Sequence, residues 1–157
     1  MTKLQDILLL EEGFRSKVYI CTKGKKTIGV GRNLDDNPLT EEEKAFVGHD
    51  GFAGELTKEQ AFYLLRHDIA KVEKQVKDLG DWVMNLNEDR YCALCSMCFQ
   101  MGLGKLLKFK KMLSALAVGN YNNAADESLD SAWAKQTPNR ARRTANCIRR
   151  GKYDLRG

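Results

Sequence analysis

The chain has 157 residues, 43% of them hydrophobic and 30% charged, and carries a net charge of +5. Against about 150 residues per domain, that length predicts one compact unit, with enough apolar material for a core and too much for a disordered chain. No apolar run approaches the roughly 18 residues of a membrane-spanning helix.

Leu4, Ile7 and Leu8 recur at helical spacing and Gly13 follows them, so residues 3–12 read as a short amphipathic helix. Asp6, Glu11 and Glu12 interrupt the apolar run that a signal peptide would need, and synthesis in a cytoplasm is expected. Glu11 and Glu12 fall in the last helical turn, where the helix dipole disfavours carboxylates, so the pair calls for a reason. Residues 17–22 and 26–31, rich in β-branched and aromatic side chains, flank Lys23-Gly24-Lys25 and predict a hairpin. Asp35-Asp36-Asn37-Pro38 ends it, and Thr40-Glu41-Glu42-Glu43 opens another short helix. The capping signature Thr57-Lys58-Glu59-Gln60 starts a long helix whose apolar positions, Ala61, Leu64, Leu65, Ile69, Val72 and Val76, run to Leu79-Gly80. At about 30 Å it is long enough to link two lobes. Residues 91–101, 106–118, 121–133 and 139–150 all keep helical spacing. The expected fold is α+β and mostly α: a small hairpin-containing lobe over 13–57, a linking helix over 58–79 and a helical lobe over 80–157.

Cys92, Cys95 and Cys98 form a CxxCxxC string inside an apolar helical segment with no histidine nearby. A zinc or iron–sulfur site needs a fourth ligand and a loop on which the sulfurs converge, so these thiols are expected to pack as small hydrophobes. Five cysteines, an odd number, fit free thiols better than paired disulfides. His49 and His67 stand alone and read as surface or structural residues, and neither metal nor cofactor is expected.

The C-terminal stretch 135–157 holds Lys135, Arg140, Arg142, Arg143, Arg149, Arg150, Lys152 and Arg156 against Asp154 alone, a charge of +7 that leaves −2 for the rest of the chain. Nucleic acid, lipid head groups and acidic wall polymers would all be attracted to such a tail. After Trp133 its one aromatic residue is Tyr153, which weighs against a nucleic-acid face and leaves a solvated helix face as the plain alternative. The carboxylate pair is more informative. An acid at the end of the first helix faces Cys21 and Thr27 of the hairpin, and Leu8 and Leu9 provide the poorly hydrated setting that suits a general acid. Periodicity does not choose between Glu11 and Glu12, or between this reading and a surface pair.

Glu11-Glu12-Gly13, Tyr19, Thr27-Ile28-Gly29-Val30-Gly31, Phe99-Gln100-Met101-Gly102 and Trp133-x-x-Gln136-Thr137-Pro138-Asn139-Arg140 together resemble the phage-type lysozymes, the endolysins of glycoside hydrolase family 24. The likeness runs in order over nearly the whole chain. It implies a muramidase that hydrolyses the β-1,4 bond between N-acetylmuramic acid and N-acetylglucosamine of bacterial peptidoglycan in a cleft between the two lobes; nothing in the residues suggests a permanent dimer, and a monomer is expected. It also implies that residues 1–12 pack with the C-terminal lobe. By the same resemblance Glu12 falls on the catalytic acid and Thr27 on the threonine that places water. Cys21 falls where members carry aspartate or cysteine. Arg140, Gln100 and Trp133 fall on residues that support the acid, and Phe99 and Asn33 on positions that contact sugar. Release of the lysozyme from the host cytoplasm through a separate phage pore, to act in the periplasm, is implied too.

Cysteine at 21 is mostly neutral at pH 7 unless its pKa, about 8.5 when unperturbed, is lowered. It either orients water as a thiol or gains thiolate character from Lys23, Lys25 or Lys26, and the second is expected. Arg32 replaces a histidine common after the family's Gly-x-Gly, and family geometry predicts that it pairs with Asp68. The implied mechanism is inverting: Glu12 protonates the leaving oxygen while water held by Thr27 and Cys21 attacks the opposite face. A lytic transglycosylase would use the acid alone, a non-catalytic wall-binding protein would lack it, and a nucleic-acid module would depend on the tail. With the cleft assigned to catalysis, the tail is expected to hold the enzyme near anionic wall or outer-membrane polymers.

Overall fold

The structure is a computed structural model that describes all 157 residues. Its elements follow in the order α1 (Lys3–Glu12), β1 (Arg15–Ile20), β2 (Lys26–Gly29), β3 (Arg32–Asn33), α2 (Glu41–Val47), α3 (Lys58–Lys77), a 3-10 helix (Asp81–Asn85), α4 (Glu88–Met101), α5 (Leu103–Leu106), α6 (Lys110–Ala117), α7 (Tyr121–Leu129), α8 (Ala132–Gln136) and α9 (Pro138–Arg150). The fold is α+β and mostly α, with one small antiparallel sheet. Two compact units divide the chain, one formed by Leu8–Ala70 and the other by Met1–Ile7 together with Lys71–Gly157.

In the unit Leu8–Ala70 the sheet order is β1-β2-β3, with Tyr19 opposite Thr27, Thr27 opposite Asn33 and Ile28 opposite Arg32. Directly paired residues share a face of a sheet. Tyr19, Thr27 and Asn33 therefore line one face, and Ile28 and Arg32 the other. Ile28 is fully buried in a cluster with Leu34, Leu39, Val47, Leu56, Ala61 and Leu64, against which Phe14, Val18 and Tyr63 pack. Burial of each such large apolar side chain contributes about 1.5–3 kcal/mol.

Arg32, buried at the same level, uses all five of its N–H groups. Nε donates to the Asn37 carbonyl at 2.8 Å, Nη1 to Glu43 Oε2 at 3.1 Å and Asp68 Oδ1 at 3.0 Å, and Nη2 to Glu43 Oε1 at 2.8 Å and the Pro38 carbonyl at 3.2 Å. The expected pair with Asp68 is present, and Glu43 is the larger partner. Glu43 also closes the capping box of α2, accepting from the Thr40 N–H at 2.9 Å, and accepts from His67 Nδ1 at 2.8 Å, so all its lone pairs are engaged. His67 is thus structural.

In the other unit α4 is the central helix, buried continuously from Cys92 to Cys98, and α9 packs on α4, α7 and α8. Cys92, Cys95, Cys98 and Cys147 are buried free thiols that fill the core as small apolar groups. Asp89 of α4 ties down both ends of the chain, accepting from Lys3 Nζ at 2.6 Å and from the Tyr153 N–H at 2.8 Å. Arg90 caps the C-terminal carbonyls of α9 at Ile148 and Arg149, with its guanidinium 3.7 Å above the Tyr121 ring.

Two of the expected helices are broken. The helix read over 106–118 is shorter than expected: Leu106 is the last residue of α5, and α6 begins only after Phe109, whose ψ of 55° leaves the helical region. The one read over 121–133 divides at Ser131, whose hydroxyl accepts the Ala134 N–H at 3.1 Å and starts α8. Apolar spacing continues across both breaks, while the local backbone bonds do not.

Candidate active site

Glu12 is the last residue of α1, which has no basic side chain in its final turn to offset the carboxylates, so the helix itself gives no reason for them. The reason lies in the sheet. The Glu12 side chain lies against Gly31 in the turn between β2 and β3. A Cβ placed on that glycine would stand 2.8 Å from Glu12 Cγ and 2.9 Å from both Cδ and Oε1.

On the face of the sheet formed by Tyr19, Thr27 and Asn33, Thr27 is buried and donates its hydroxyl to the Lys25 carbonyl at 3.0 Å. Cys21, just past β1, is half-buried and closes the turn, its N–H donating to the Lys25 carbonyl at 2.9 Å. Burial opposes ionisation of its thiol. The backbone N–H groups of Lys25 and Lys23, the Thr27 hydroxyl and the Lys23 ammonium outweigh burial and hold the pKa below its ordinary value. Of the three lysines expected to help, Lys23 acts through its charge. The Lys25 ammonium bonds Asp36 at 3.3 Å, and that of Lys26 lies 5.6 Å above the Phe52 ring.

Tyr19 is a member of this cluster to which the sequence reading gave no role. Burial raises the pKa of its phenol, and the charges of Glu12 and Cys21 raise it further, so the ring stands within electrostatic reach of both, with the Arg15 guanidinium 4.6 Å from its centroid. The available signal was its place two residues before Cys21 on an alternating strand. Asn33 shares the face, but its amide is held by Asp36, to which it donates at 2.9 Å and from whose N–H it accepts at 3.0 Å.

The remaining candidate residues belong to the other unit. Trp133 Nε1 on α8 donates to Gln100 Oε1 at the end of α4 at 2.7 Å, and the Phe109 ring meets the indole edge-on at 6.1 Å. Arg140 on α9 is buried and donates to the Ser96 carbonyl at 3.3 Å and its hydroxyl at 3.0 Å. Phe99 is half-buried near the end of α4.

Comparison with known proteins places this geometry in a family. The chain is 33% identical over 165 residues, 98% of its own length, to the pre-baseplate central spike protein Gp5 of Enterobacteria phage T4, and spans 29% of that protein. It is 29% identical over 163 residues to the probable T4-type lysozyme 2 of Dictyostelium discoideum, which covers 96% of each chain. It is 33% identical over 127 residues to the endolysin of Salmonella phage P22, 80% of this chain and 76% of that one. With residues 10–151 matching the model of the phage lysozymes, the chain belongs to the phage lysozyme family.

Proposed function

We propose that this phage lysozyme, a peptidoglycan muramidase of the endolysin kind, uses Glu12 as general acid, with Thr27 and Cys21 handling water, in an inverting hydrolysis. Glu12 gives its proton to the glycosidic oxygen as the bond from the muramic-acid C1 breaks. Water held by Thr27 attacks the oxocarbenium-like centre from the opposite face and passes its proton to the Cys21 thiolate. The observation that carries this reading is the contact of Glu12 with Gly31. The Glu12 side chain meets the β2–β3 turn four residues along from Thr27, which supports an acid and a water-handling group acting side by side. Support of the acid by Arg140, Gln100 and Trp133, and sugar contact by Phe99 and Asn33, belong to the same reading.

The test is release of reducing ends from purified peptidoglycan by the wild type and by Glu12→Gln, with product masses and the anomer first formed read in the same sample. Loss of an acid of this kind lowers the rate by about 10²–10⁴-fold. Intact muramic ends that first appear as the α-anomer, and disappear in the variant, are the expected result. Anhydro ends, a first-formed β-anomer or an active Glu12→Gln would overturn it.

The basic tail is proposed to hold the enzyme near anionic wall or outer-membrane polymers. Support comes from Lys135, Arg142, Arg150 and Lys152, all exposed. Likeness to endolysins supports a route to the wall from the host cytoplasm through a separate pore. Fractionation of host cells before and after such a pore opens tests it, with early activity outside the cytoplasm the contrary outcome.

A further inference from the structure

We infer that Gly31 is a positioning residue for the acid: the space left by its missing side chain is the seat of the Glu12 carboxyl, and the turn fixes the direction from which the proton is delivered. This rests on Glu12 being the general acid. Gly31 has φ +69°, and a Cβ there would approach Glu12 Cγ, Cδ and Oε1 to 2.8–2.9 Å, well inside the roughly 3.5–4.0 Å of ordinary carbon contacts. Gly48 is the informative contrast. It takes the same left-handed conformation, φ +88°, as the C-cap of α2, yet a Cβ on it would meet nothing within 4 Å. Backbone conformation alone therefore calls for glycine at position 48. At position 31 the conformation and the acid both call for it.

The atoms that a methyl group on residue 31 would strike form the end of a flexible side chain, so Glu12 gives way rather than the sheet. The turn itself is anchored by Ile28, paired opposite Arg32, and by the full set of hydrogen bonds that Arg32 makes. A displaced acid keeps its chemistry and loses its aim. A shift of about 1 Å in a reacting group lowers a rate on the order of 10²-fold.

The experiment compares Gly31→Ala, Gly48→Ala, Glu12→Asp and the pair Gly31→Ala/Glu12→Asp, with thermal melts beside kcat and KM. Both glycine variants are expected to lose similar stability, because both force an alanine into the left-handed region. Only Gly31→Ala is expected to lose kcat, by about 100-fold, with KM within about twofold. Shortening the acid by one methylene vacates part of the seat, so adding Gly31→Ala to Glu12→Asp is expected to cost far less than 100-fold. Wild-type kcat in Gly31→Ala overturns the inference, as do losses that simply multiply in the pair. Failure of Gly31→Ala to fold also overturns it, since Glu12 would then not be the group that yields. An active Glu12→Gln would instead refute the acid assignment itself, whereas an inactive Glu12→Gln beside a fully active Gly31→Ala would refute only the role of Gly31.

Discussion

At the scale of the single residue, Cys21 differs from the other four cysteines in both access and ionisation. Burial pushes the Cys92 and Cys147 thiols up to about 12 and that of Cys98 up to about 11, and raises Cys95 further still, while Cys21 is half-buried and held below its ordinary value. Alkylation of the folded protein near neutral pH is therefore predicted to label one thiol of five, Cys21, with activity falling in step; mass spectrometry of the labelled peptides reads the site. The thiolate form of Cys21 increases as pH rises through a midpoint held below the ordinary thiol value. The rate should climb over that range and lose the climb in Cys21→Ser. Identical pH profiles in the two proteins would remove any ionic role for the sulfur. The sequence supplied the thiol and one useful lysine. The two backbone N–H donors depend on how the turn folds, which no residue type announces.

At the scale of elements, Arg32 and Glu43 join β3, α2 and α3 through a buried ionic network. Breaking such a pair by removing one partner costs about 3–5 kcal/mol, because the other charge is left buried. Arg32→Ala should lose that much in denaturant unfolding. Burial opposes ionisation of Glu43, but Arg32, the Thr40 N–H and His67 outweigh it and lower its pKa from 4.5 to about 2. A depressed folded-state value contributes stability above the unfolded one and loses it as pH falls through the folded one. Unfolding free energy should therefore drop by roughly 3 kcal/mol between about pH 5 and pH 2, and Glu43→Gln should lack this component. The capping boxes at Thr40 and Thr57 were legible because their bonds are local. The two residues of β3 are too short for a periodic signal, and the breaks at Phe109 and Ser131 fall where apolar spacing continues undisturbed.

At the scale of the whole molecule, the tail charge of +7 overstates what a polymer would meet. Arg140 is buried on Ser96, and Arg149 bonds Asp126, outside the tail, at 2.7 Å. Reversal of the exposed pair Arg142→Glu/Arg150→Glu is predicted to weaken wall adsorption at low salt, with the difference disappearing as screening shortens to about 3 Å near 1 M. Unchanged adsorption in pull-down at low salt would make the tail a solvated face. By itself the sequence determined the fold class, the bounds of α1 and the start of α3, the apolar role of the buried cysteines and, through ordered motifs over nearly the whole chain, the family. Those features depend on residue type, spacing and bonds within a few positions. Tertiary structure alone decided that Glu12 rests on Gly31, that Arg32 has Glu43 and His67 in its network beside Asp68, and that Tyr19 stands in reach of Glu12. Such contacts join residues distant along the chain, and their geometry is set when β1, β2 and β3 pair and Ile28 is buried beneath them.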